Sequence, residues 1–252
     1  MGLLAVAPFT MGAKGGCGTF GSTDPAPSVS GDWNIIYNPQ MSVVVKIGGS
    51  VYTQQLGATG GNFTVLHAGK SYPFNIDCSR PEVVCPSEVW PSRVTISQRE
   101  PMYPYRMWVA IPVQECSGAT VPADKASCGT GTLNPDCKPV CTGTITTKSS
   151  DAFGLIREGG TGFDLLLGAG VATNGINCAL LGISVAKADL INIGTEGATN
   201  WKAAEMNNGQ VKTGYAGGCV WAGPLGADGK PETLVLGASV EITTGFAGSR
   251  VL

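Results

Sequence analysis

Side chains able to exchange protons, hold metals or attack electrophiles are few in this sequence, and they are scattered. His67 is the only histidine, so a nucleophilic triad or an imidazole metal site would rest on it alone. Its place at the turn end of an alternating stretch reads instead as a half-exposed strand terminus. Gly69-Lys70-Ser71 ends like a phosphate-binding loop, but Thr64 stands where the opening glycine belongs and the flanks alternate like strands. Gly168, Gly170 and Gly175 miss the dinucleotide spacing, no serine stands in G-x-S-x-G, and no cofactor is implied. Glycoside hydrolysis needs only two carboxyl groups about 5 to 9.5 Å apart, and Asp164, Asp189, Glu196 and Glu205 are available for it. Trp90, Tyr103, Tyr105, Trp108, Trp201 and Trp221 would line a sugar surface in that case and would fill a core in an ordinary β domain. No residue is assigned a catalytic role.

The nine cysteines carry more information. Setting Cys17 aside leaves an even set: Cys78, Cys85, Cys116, Cys128, Cys137, Cys141, Cys178 and Cys219. In an exported chain such a set reads as a disulfide framework. The expected pairs are Cys78 with Cys85 across a short loop, Cys178 with Cys219, and two bridges among the other four. Cys128, Cys137 and Cys141 lie close together, as in a metal site, but the chain has no C-x2-C knuckle. No metal is assigned.

Cys17 stands apart because of what surrounds it. Leu3 to Met11, "LLAVAPFTM", is an apolar run followed by small residues, as in the hydrophobic and cleavage regions of a secretion signal. Gly15 and Gly16 precede the cysteine, Gly18 follows it, and "GTFGSTDPAPSVS" has the composition of a flexible linker. This arrangement resembles the lipobox of bacterial lipoproteins. The resemblance implies a signal peptide over residues 1–16, lipidation at Cys17, a tether over 17–30, and export to the bacterial cell envelope, at the outer membrane.

Composition narrows the partners. Charged residues are 13% of the chain, about half of the roughly 25% usual for a soluble domain. The net charge of −2 comes from dispersed residues, so no basic stripe exists to meet a phosphate backbone and nucleic acid is excluded as a partner. No apolar run approaches the roughly 20 residues of a spanning helix. A membrane would be met through the anchor.

The elements that must position these residues are strands. Met41, Val43, Val45 and Ile47 alternate with other residues, Gly48-Gly49 supplies a two-residue turn, and Val51 to Leu56 returns. That register sets Val45 against Tyr52 and Met41 against Leu56. A second hairpin turning at Ala68-Gly69 sets Phe63 against Phe74 and Val65 against Tyr72, with Pro73 marking an edge strand. With Trp33, Ile35 and Tyr37 as a separate strand, residues 32–76 read as a five-strand meander. "SRVTISQR" and "MYPYRMWVAIPV" form another antiparallel pair, residues 114–140 read as a disulfide-tied loop, and short strands follow to the end. "TNWKAAEMNNG" alone suggests a helix, capped by Asn200. The expectation is an all-β, mostly antiparallel sandwich or barrel of roughly ten to twelve strands with little helix. It spans residues 31–252, as one domain or as halves 31–113 and 141–252.

Gly31-Asp32-Trp33 resembles the G-x-W motif that opens the first strand of lipocalins. In that family an arginine at the far end of the barrel packs over the tryptophan, a role the resemblance gives to Arg250. The functional expectation is a noncatalytic envelope lipoprotein whose β domain binds a partner or contributes surface structure. A lipocalin-like carrier of a small apolar ligand and a glycan-binding or glycan-hydrolysing protein are the alternatives.

Overall fold

The computed structural model describes residues 19–78, 85–86, 90–117, 120–122, 139–141, 143–174, 178–225 and 231–251. The fold is all-β. The strands are β1 (Gly31–Ile47), β2 (Ser50–Gly57), β3 (Gly60–His67), β4 (Lys70–Asp77), β5 (Arg93–Ser97), β6 (Arg106–Cys116), β7 (Thr120–Pro122), β8 (Pro139–Cys141), β9 (Ile145–Ile156), β10 (Gly162–Asn174), β11 (Cys178–Ile193), β12 (Lys202–Leu225) and β13 (Pro231–Arg250). Among the described residues the helical positions are a 3-10 turn, Glu158–Gly160, and Pro86, whose carbonyl accepts from Trp90 N.

Eight strands close a barrel in the order β13-β12-β11-β10-β9-β6-β5-β1, with β1 pairing back onto β13. Neighbours in this cycle run antiparallel, so alternate residues face the interior. The segments expected as halves 31–113 and 141–252 share this one barrel: β1, β5 and β6 come from the first, β9 to β13 from the second.

β1 is the organising strand. Along one side it pairs with β13 from Trp33 to Ile47, interrupted by a bulge between Tyr37 and Met41. Along the other it meets β5 through Gly31–Asn34 and β2 through Gln40–Ile47. The bulge leaves odd-numbered residues inward on both sides of it: Trp33, Ile35, Met41, Val43, Val45 and Ile47 are all buried. The strand expected over Trp33 to Tyr37 and the one expected from Met41 are therefore a single element. Residues 32–76 hold four strands rather than five.

Both hairpins take the expected register. Val45 faces Tyr52 and Met41 faces Leu56; Phe63 faces Phe74 and Val65 faces Tyr72. Gly48 and Gly49 have φ of 53° and 88°, the left-handed backbone a two-residue turn demands. β4 is the terminal strand of the sheet, which accommodates Pro73. The apolar face of β3 and β4 packs on the upper half of β1 with Ile242 of β13, forming a second core beside that of the barrel.

The helix expected around residues 199–209 is instead the start of β12. Ala203 and Met206 are buried there while Glu205 is exposed. β11 and β13 flank this stretch on both sides, and two ladders of hydrogen bonds outweigh the modest helix preference of an Ala-Ala-Glu-Met run.

Candidate functional site

At one end the barrel is sealed. Gly31 has φ of 129°, open to glycine and strained for other residues, and it delivers the chain into β1. Trp33 is fully buried, and its Nε1 donates to the Val29 carbonyl at 2.9 Å. Arg250 stands opposite Trp33 in the β1–β13 register with its guanidinium 5.3 Å from the indole centroid. The same guanidinium donates to three carbonyls: Nε to Ala203 at 2.9 Å, Nη1 to Ser30 at 2.8 Å and Nη2 to Ser28 at 2.5 Å. Burial pushes its pKa down, but a guanidinium keeps its charge in proteins and the carbonyl dipoles take the place of water.

The segment expected as a tether is engaged at this end from Thr19 onward. Thr19 Oγ1 donates to the Ile156 carbonyl at 2.9 Å, Tyr105 Oη donates to Pro25 at 3.0 Å, and Ser28 forms a parallel bridge with Lys202. Gln98 joins this segment to the loop between β5 and β6. Its Oε1 accepts from Val29 N at 2.9 Å, and its Nε2 donates to Pro104 at 2.6 Å and Pro27 at 3.2 Å. Gln98 was not singled out from the sequence, where nothing distinguishes it from a solvated polar residue.

Inside, apolar side chains fill the barrel above the seal, Phe163, Leu165, Met206, Val211 and Phe246 among them. One inward step further from the seal the walls turn polar. Thr244 follows Phe246, Thr213 follows Val211 and Ser184 follows Ala186, all buried. Ser184 and Thr213 share a hydrogen bond of 3.1 Å, and Thr244 donates to the Gln40 carbonyl in the β1 bulge at 3.2 Å.

Trp90 is a fully buried interior side chain that no strand supplies. Its ring lies 6.1 Å from Phe163 and 5.8 Å from Phe246 at interplanar angles of 24° and 34°. The Tyr37 hydroxyl donates to its carbonyl, and burial raises the pKa of that phenol. Trp90 Nε1 is buried without any hydrogen-bond partner, a defect worth about 1–3 kcal/mol.

The other sequence candidates do not converge. Asp164 and Asp189 share one cation: Arg157 places Nε 3.5 Å from Asp164 and Nη1 3.1 Å from Asp189. Hydrogen bonds from Asn208 and Arg157 hold the Asp189 carboxyl below its ordinary pKa, the reverse of what a general acid needs. Glu205 is exposed on β12, and Glu196 lies in the turn before it. Of the aromatics, Trp90, Tyr105 and Trp201 are core. Trp108 packs on Phe153, Tyr103 lies under Arg106, and Trp221 sits opposite Leu234 in the β12–β13 register. They do not make one sugar-binding surface.

His67 ends β3, with Nδ1 3.0 Å from the Tyr52 hydroxyl and its ring packed between Tyr52 and Tyr72. Gly69 and Lys70 of the loop-like tripeptide lie at the β3–β4 turn. Cys78 and Cys85 are bonded to each other, with Cα atoms 5.4 Å apart. Cys178 lies directly opposite Cys219 in the β11–β12 register. Cys116 ends β6 and Cys141 ends β8. The signal region, Cys17, Cys128, Cys137 and Gly175 lie outside the described residues. Among the described residues no three His, Cys, Asp or Glu side chains gather as metal ligands.

The β3–β4 hairpin also carries an open concavity of about 370 Å³, lined by Asn62, Phe63, Thr64, Pro73 and Phe74 and lying outside the barrel. Neither a family model, a curated protein nor a solved structure matches the chain.

Proposed function

We propose that this is a noncatalytic binding protein of the bacterial cell envelope, exported and carried on lipid at Cys17, whose barrel takes a small apolar ligand as a lipocalin-like carrier does. One observation carries the binding reading. The barrel is closed at one end by Trp33 beneath Arg250, joining its first strand to its last. A barrel sealed at one end presents an interior that can be reached from elsewhere, the usual form of a site for a compact apolar molecule.

The Cys78–Cys85 bond supports an oxidising compartment. Two peptide steps separate Cys17 from Thr19, a reach of about 7 Å, and Thr19 is bound to the sealed end. Acyl chains on Cys17 would therefore leave from beneath the seal and put the opposite end of the barrel away from the membrane.

The test is a titration of 1-anilinonaphthalene-8-sulfonate into the full chain, followed by displacement with a fatty acid. Saturable one-to-one binding reversed by the fatty acid is expected. A folded protein that binds no dye would leave a surface-structural role, favoured by the side chains that fill the lower barrel. Intact mass from the native membrane fraction tests the anchor separately: a chain beginning at Cys17 with added acyl mass is expected.

A further inference from the structure

Among the described residues, the barrel wall is incomplete above β5. That strand reaches β1 only at Gly31–Asn34 and β6 only at Trp108–Ala110. β1 continues to Ile47 and turns to β2 for its partner, while β6 continues to Cys116. The upper parts of β1 and β6 are thus not joined through β5, and Trp90 reaches the interior from the residues just before that strand. Its approach is defined by the Ser92 carbonyl on Ile35 N at 2.7 Å, by its own N–H on Pro86 at 3.1 Å, and by the Tyr37 hydroxyl on its carbonyl.

Two features separate Trp90 from an ordinary core residue. Its indole is stacked with Phe163 and tilted against Phe246, a setting that would also suit a bound planar molecule. Its indole Nε1–H is buried with nothing to donate to, whereas the buried indole of Trp33 is satisfied. The Tyr37 hydroxyl holds the backbone carbonyl of residue 90, and it becomes a buried free donor when that carbonyl withdraws together with the indole.

We propose that the Trp90 indole is a built-in occupant of the ligand site, and that the ligand is a planar two-ring aromatic bearing one hydrogen-bond acceptor for Tyr37. This rests on the barrel-interior reading given above. The ligand enters beside β5 as residue 90 withdraws, indole and carbonyl together, takes the space against Phe163 and Phe246, and accepts from the Tyr37 hydroxyl the bond that the carbonyl gives up. Trp90 then regains an acceptor for Nε1 in water. Self-occupancy lowers the apparent affinity by the fraction of molecules in which the site is open.

The experiment uses the full chain carrying 5-fluorotryptophan, with 2-acetylnaphthalene as probe and naphthalene as its acceptor-free control. Fluorine spectra, assigned with single Trp→Phe variants, should show the Trp90 resonance moving toward its solvent-exposed position as 2-acetylnaphthalene saturates, with Trp33 unmoved. Trp90→Ala should bind the probe at least about tenfold more tightly than the native chain. Tyr37→Phe should erase the preference for 2-acetylnaphthalene over naphthalene. A folded Trp90→Ala variant with no gain in affinity would overturn the proposal; if that variant does not fold, the fluorine spectra decide alone. Probe binding with Trp90 unmoved would sink the proposal and leave the barrel-interior reading standing. Failure of the native chain and of Trp90→Ala to bind either naphthalene, together with no fatty-acid displacement, would remove both.

Discussion

Among the described residues the barrel holds two fully buried tryptophans in opposite circumstances. Trp33 belongs to β1, donates its N–H to Val29, and carries on its face a guanidinium that is itself bonded to three carbonyls. Trp90 belongs to no strand, packs against two phenylalanines, and has an indole N–H with no acceptor. Burial alone therefore does not reveal what a side chain is for. Where each polar atom is paired, the arrangement is a structural joint. Where one is not, the stability given up requires another explanation, and occupancy of a binding site is one.

The sharpest way to break this comparison is to remove each indole. Trp33→Ala should cost about 4–5 kcal/mol, the upper part of the range for deleting a buried tryptophan, because the cavity also leaves Arg250 without its partner face and Val29 without its donor. Trp90→Ala should cost less by at least about 1 kcal/mol, since no side-chain hydrogen bond is lost with it. Denaturant unfolding of the two variants measures the difference. Equal losses would mean that the unpaired N–H has no energetic consequence, and the two sites would no longer differ in kind.

A smaller change at the seal is Arg250→Lys. The charge survives but the fork does not, so one ammonium must replace donors now directed at Ala203, Ser30 and Ser28. A loss of about 2 kcal/mol is expected. Amide hydrogen exchange should show faster opening of Val251, whose N–H is bonded to the Asp32 carbonyl at the same end. A loss spread evenly through the barrel would argue that Arg250 is not a local joint.

Tyr37→Phe addresses the other site, and its expected cost is about 1 kcal/mol for the single bond to Trp90. It also carries a pH signature. Burial raises the folded-state pKa of Tyr37 above the ordinary value of about 10. The contribution of the neutral phenol is therefore complete below about pH 10 and is lost as the pH rises beyond it. The native chain should lose stability above that pH more steeply than Tyr37→Phe. Tyr105, whose pKa is also raised by burial, is present in both proteins and cancels in the comparison.

What the sequence disclosed follows the range of the interactions. The hairpin pairs Met41 with Leu56 and Phe63 with Phe74 were legible because a two-residue turn and alternation of period two fix register locally. Cys178 and Cys219, expected as a disulfide, stand opposite each other in the β11–β12 register, which fixes the backbone positions and not a bond. Closure of β1 onto β13 joins residues about two hundred positions apart and leaves no local trace; only the resemblance of Gly31-Asp32-Trp33 brought Arg250 into view. The start of β12 was misread because its Ala and Glu residues favour helix when isolated, a preference overridden by partners on both sides. Trp90 was noticed merely as one aromatic among several. No periodic pattern covers a residue outside the strands, and an unpaired N–H is a property of three-dimensional surroundings.

The smallest expected effect comes from the outer wall, which calibrates the other losses. Arg157 bridges Asp164 and Asp189 on the barrel exterior, where both carboxylates are partly open to water. Hydrogen bonds from Asn208 and Arg157 depress the folded-state pKa of Asp189, so its contribution is present above about pH 4 and disappears as the pH falls through the folded value. Solvent screening keeps that contribution below about 1 kcal/mol. Asp189→Asn should therefore change stability little at neutral pH and flatten only the acid limb of the stability profile. A larger loss would mean that the Arg157 bonds to the Ala188 and Phe163 carbonyls depend on the carboxylate. The ion pair would then be part of the barrel wall, and polar joints would extend well beyond the sealed end even where, as at Arg157 Nε, one atom has no hydrogen-bond partner.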